Sequence, residues 1–103
     1  MSDKRLLFLE SLVQKGTEDP MAYYGLAMEY RTRGRVDDAV KVFTDLRATK
    51  ADYVAMYLMA GQMLAEADRK EEARAWLEQG IGWARQTKNS HALGELESAL
   101  GTL

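Results

Sequence analysis

The chain repeats itself. Tyr23, Leu26, Ala27, Tyr30, Gly34, Ala39 and Phe43 are answered 34 positions later by Tyr57, Ala60, Gly61, Leu64, Asp68, Ala73 and Leu77, without slippage. A fixed period of a few tens of residues is the mark of stacked supersecondary units, none of which buries its apolar face alone. The expected product is a scaffold with a surface for holding a partner rather than a pocket for chemistry.

The units read as helices. One proline, Pro20, in 103 residues leaves the backbone hydrogen-bond ladder almost uninterrupted. In the first 16 residues, Leu6, Leu9, Leu12 and Val13 recur at helical spacing, with Leu7 and Phe8 widening the apolar arc. Ser2 suits the start of this helix and Gly16 its left-handed end. Residues 20–50 form a first helix pair. Asp19 caps it, Pro20 takes the first helical position, Gly34 breaks it, and Val36 to about Thr49 is the returning helix. Asp37 and Asp38 favour the positive end of that helix. Residues 52–86 form the second pair, with Asp52 as the expected cap and Asp68 in the turn, where aspartate tolerates the left-handed region. Ala73, Trp76, Leu77 and Ile81 face inward, with Trp83 at the margin of that face. The polar run Gln86 to Ser90 is the longest expected loop. A last helix within residues 90–103 carries Leu93, Leu96 and Leu100. The whole reads as a single domain.

These residues resemble the tetratricopeptide repeat family, in the small bacterial-type form. The first unit reads Tyr23-x-x-Leu26-Ala27-x-x-Tyr30, then Gly34, Ala39, Phe43 and Leu46. The second reads Tyr57-x-x-Ala60-Gly61-x-x-Leu64, then Asp68, Ala73, Leu77 and Gly80. Small residues at 27, 39, 61 and 73 fit positions where helices cross closely. The chain departs from the family pattern where Ala51 replaces the closing proline, and at Leu46 and Gly80, where alanine is usual. The resemblance implies an all-α fold: antiparallel helix pairs stacked as a short right-handed solenoid, about two full repeats plus flanking helices. Spacing makes the first helix a lone second-type helix. The last is a lone first-type helix displaced by two residues. Such terminal helices act as caps.

Function then follows from the resemblance. First helices of successive repeats line a concave groove that takes a peptide or a partner's helix. The inward positions carried over are Tyr24, Met28 and Arg31, then Leu58, Gln62 and Ala65, with Met59 and Met63 near the edge. Five methionines besides the initiator lie on these two helices, and thioethers adapt to irregular apolar partners. The same stripe also serves as core filler, and both readings stay open. Arg31 suits an acidic group on a ligand. The expectation is a cytoplasmic adaptor for another protein or peptide. The alternative is a self-associating structural protein, a homodimer through Leu7, Phe8 and Trp83.

Other functions find little support. Net charge is −2, without the basic excess of a nucleic-acid binder. With no cysteine, thiolate nucleophiles and thiolate metal sites are excluded. The lone His91 has no metal-ligand spacing, and Glu71, Glu72, Glu95 and Glu97 read as solvated helix faces. No glycine-rich phosphate loop appears. The expectation is therefore no catalytic residue, no cofactor and no metal. The apolar run before Glu10 is four residues, shorter than an export core, and no stretch approaches the roughly 20 apolar residues of a membrane span.

Overall fold

A computed structural model describes residues 3–103, and within them the chain forms α-helices and no strand. In chain order they are α1 (Lys4–Gln14), α2 (Pro20–Thr32), α3 (Val36–Thr49), α4 (Ala55–Glu66), α5 (Lys70–Gln86) and α6 (Ser90–Gly101). The described chain divides into two compact units, one ending at Lys50 and the other beginning at Ala51. Each is three helices.

In the N-terminal unit, α1 and α3 both pack on α2. Ser2, the expected cap of α1, lies outside the described residues. Gly16 ends the first segment at φ +82° and Gly34 the second at φ +74°, conformations that cost a side chain. The Asp19 carboxylate accepts from the Met21 backbone N–H at 3.0 Å, with Pro20 behind it. The core is Leu6 and Leu9 of α1, Leu26, Ala27 and Tyr30 of α2, and Ala39, Val42, Phe43 and Leu46 of α3. The Tyr30 hydroxyl donates to Glu10 Oε2 at 2.5 Å, and Arg35 lies over its ring at 4.5 Å. Leu7 and Phe8 do not enter this core and are 61% and 63% exposed.

In the C-terminal unit, α5 packs between α4 and α6. Two glycines set the closeness. A Cβ on Gly61 would lie 2.4 Å from Leu77 Cδ2, and one on Gly80 would lie 2.5 Å from Tyr57 Cβ and 2.9 Å from Leu96 Cδ2. Gly80 thus lets α5 approach both neighbours at one level, which explains its departure from the usual alanine. Asp68 takes φ +61° in the turn between α4 and α5, as expected for its place opposite Gly34.

The leading tyrosine of each repeat makes the same tie. Tyr23 donates its hydroxyl to the Thr17 carbonyl, and Tyr57, 34 residues on, donates to the Ala51 carbonyl, also 34 residues on. Each bond secures the loop before a first helix, at Ala51 without the family's proline.

Two local expectations are corrected. Asp52 does not cap α4. The helix begins at Ala55, out of reach of an Asp52 side chain, and Val54 stands at the cap position with no side-chain bond. Backbone bonds from Met56 N–H to Tyr53 and from Tyr57 N–H to Val54 close the turn instead. The run Gln86 to Ser90 is not the longest loop. α5 extends to Gln86, leaving a turn of Thr87 to Asn89. Lys88 takes φ +58° there, and the Asn89 side chain accepts from Ala92 N–H at 3.1 Å. The longer connections are residues 15–19 and 50–54.

Candidate binding surface

Helical spacing places Tyr24, Met28 and Arg31 down one face of α2, and Leu58, Gln62 and Ala65 down one face of α4. None of the six is buried. On α2, Met28 is 39% exposed, flanked by half-buried Tyr24 and Arg31. The Tyr24 ring stands 6.1 Å from Phe43 at 59°, so the α2–α3 contact holds its orientation. This face is apolar at its centre, with a guanidinium one turn on.

On α4, Leu58 and Ala65 are half-buried and Gln62 is exposed. Gln62 borders an open cleft of about 570 Å³ whose other wall is α6, with His91, Glu95, Ser98, Ala99 and Thr102. The polar lining and wide mouth make it a shelf rather than a substrate pocket. His91 Nε2 lies 3.2 Å from Glu95 Oε1 on the exposed surface of α6.

The methionines divide. Met56, Met59 and Met63 are core, at 0%, 8% and 1% exposure, so Met59 and Met63 do not form a groove edge. The reason is register: a step of one residue from 58 or 62 turns the side chain by about 100° toward the packed side of α4. Met21 and Met28 are the exposed pair, both on α2. Trp76 is buried with its ring 5.8 Å from Tyr57, and Trp83 is half-buried.

One feature of the N-terminal unit had no signal beyond the surplus apolar residue at Leu7. Between α1 and α3 runs a cleft of about 490 Å³, floored by Leu26 and Tyr30 and walled by Leu7, Val13, Val42 and Lys41. Among the described residues there is no group of three or more acidic or histidine side chains arranged to hold a metal. No helix among them is long and apolar enough to cross a membrane.

Comparison with known proteins agrees with this helical plan. The family model for the tetratricopeptide repeat matches residues 30–96. The crystal structure of a tetratricopeptide repeat domain protein from Salinibacter ruber is similar, with 32% identity and a TM-score of 0.72 over 82% of this chain and 93% of that one. No curated protein matches significantly.

Proposed function

The chain belongs to the tetratricopeptide repeat family, whose fold generally mediates contacts between proteins, and on that premise we propose that it is an adaptor holding a peptide or a partner's helix. The contact residues are Tyr24, Met28 and Arg31 on α2 with Leu58, Gln62 and Ala65 on α4. Met28 carries the reading. It is a large apolar side chain left 39% exposed in the middle of the α2 face, while three methionines of α4 are buried. Burial of a partner's apolar side chains against Tyr24, Met28 and Leu58 supplies affinity. Arg31 and Gln62 set orientation, Arg31 best toward a carboxylate. Family members are generally scaffolds without enzymatic activity, in keeping with a binding module.

The experiment identifies a partner by affinity capture with the native protein and then titrates that partner against variants. Met28→Glu and Leu58→Glu are expected to weaken binding at least about tenfold, the loss of roughly 1.4 kcal/mol. Unchanged affinity in variants of native helix content would remove these faces from consideration.

A further inference from the structure

α1 is a weak helix in its own right. Asp3 stands at its N-cap, yet the carboxylate makes no bond to the amides of the helix it precedes. Lys4 and Arg5 occupy the first turn, at the positive end of the helix dipole, where cations are unfavourable. At 11 residues it is shorter than the roughly 12–15 that hold a helix together in water without tertiary support. α2, by contrast, starts on a bonded Asp19 cap.

The helicity of α1 therefore depends on α2. Leu6 and Leu9 are its buried residues. Charged groups add ties across the two helices. The Arg5 Nε–H donates to Glu29 Oε2 at 3.1 Å. Arg33 Nη2 lies 3.3 Å from Asp3 Oδ1 and 3.6 Å from Glu29 Oε1. Glu29 is the hub, joined to one arginine on α1 and to another at the end of α2. Asp3 serves the docking of α1 instead of capping it. The seat is not tight. A Cβ on Gly25 would meet Arg5 Nη2 and Leu9 Cδ1 at 3.5 Å, ordinary van der Waals contact, whereas Gly61 and Gly80 have no such room. Arg33 Nε is buried and finds no hydrogen-bond partner among the described residues, so the network is only partly satisfied.

We propose that α1 is a strap that undocks from α2 and unwinds as a unit while α2 and α3 stay packed, with Glu29 as the group that holds it. α2 and α3 keep a core of their own, in which Ala27, Ala39, Phe43 and Leu46 are fully buried. Undocking turns Leu6 and Leu9 out to join exposed Leu7 and Phe8, and it uncovers Gly25 of α2. The N-terminal unit thereby gains a second state in which the apolar run Leu6 to Leu9 is accessible. Glu29 follows Met28 and stands about 100° further around α2. The strap and the proposed groove thus occupy different faces, and neither depends on the other.

Amide hydrogen exchange read residue by residue, with chymotrypsin as a second probe, tests this. The protease needs an unwound segment, so its cut after Phe8 reports the undocked strap. In the native protein the α1 amides are expected to exchange at least about tenfold faster than the slowest amides of α2 and α3. Phe43→Leu weakens the α2–α3 core and should speed exchange there by about tenfold. It should leave α1 exchange and the cut after Phe8 unchanged, because the strap opens without that core. Glu29→Gln should speed both α1 readouts by about fivefold. Asp45→Asn, which breaks an exposed pair with Lys41 on α3, should move neither. Circular dichroism verifies folding, and Ala39→Gly replaces Phe43→Leu if the latter loses helix. α1 exchange that rises with the core variant by the same factor as the core shows a single opening and overturns the proposal. So does a Glu29→Gln protein of native helix content whose α1 readouts stay where they were.

Discussion

At the scale of single residues, the repeat is enforced by what has no side chain. Gly61 and Gly80 sit where a Cβ would enter Leu77 or Tyr57, whereas a Cβ on Gly82 would meet nothing within 4 Å. Gly61→Ala should therefore destabilise the fold by about 1–3 kcal/mol through overpacking. Gly82→Ala should stabilise it by about 0.5–1 kcal/mol by removing a flexible residue from a helix interior. Urea unfolding reads both signs, and a stabilising Gly61→Ala would mean that Leu77 yields. Tyr30 offers a different test. Burial first, then its hydrogen bond to the Glu10 carboxylate and that group's charge, push its pKa from 10.0 up to about 12. A raised pKa means the stabilisation is complete below about pH 10 and lost as pH climbs through 12. The stability gap between the native protein and Tyr30→Phe should be constant to pH 10 and narrow from there to 12. A gap that does not change with pH would show that this hydroxyl stays clear of the titration. The small residues at 27, 39, 61 and 73 were readable because the period repeats them. The Tyr30–Glu10 bond was not, since it joins positions 20 apart with no local pattern to announce it.

At the scale of elements, the helices announced themselves by spacing, and the errors lay at their ends. Asp52 looked like a cap because it precedes an apolar run. The tie from Tyr57 to the Ala51 carbonyl holds the loop alongside, and the helix begins at Ala55, two residues later than a cap at Asp52 needs. Asn89 does cap, although it sits in a run that reads as loop, because Lys88 takes the left-handed turn that lets α6 start at once. Asn89→Ala should cost about 1 kcal/mol and speed amide exchange in the first turn of α6. Asp52→Ala should change stability by less than about 0.5 kcal/mol. Equal losses from the two substitutions would restore Asp52 as a cap. The groove positions were legible for the same reason as the helices, their spacing on α2 and α4. The fate of the methionines was not, because composition gives their number and only the register separates exposed Met28 from buried Met59 and Met63.

At the scale of the molecule, the division of labour between apolar and charged groups makes folding respond little to salt. Among the described residues no charged side chain is buried, and the core is built of aliphatic and aromatic side chains, Tyr30, Tyr57 and Trp76 among them. Several ion pairs are surface pairs, such as Lys41–Asp45 at 3.4 Å and Arg85–Glu97 at 3.5 Å, with more than half of each side chain exposed, while Arg33–Glu29 at 3.6 Å is more sheltered, at 20% and 23% exposure. Exposed pairs of this kind contribute about 0–1 kcal/mol each and are screened by salt. A net charge of −2 adds little self-repulsion for salt to relieve. Raising sodium chloride from about 0.05 to about 0.5 M should therefore move the unfolding free energy by less than about 1 kcal/mol. Thermal unfolding over that salt series measures the response. A melting temperature that falls steeply with salt would move the weight of stability from the apolar core to the surface charges.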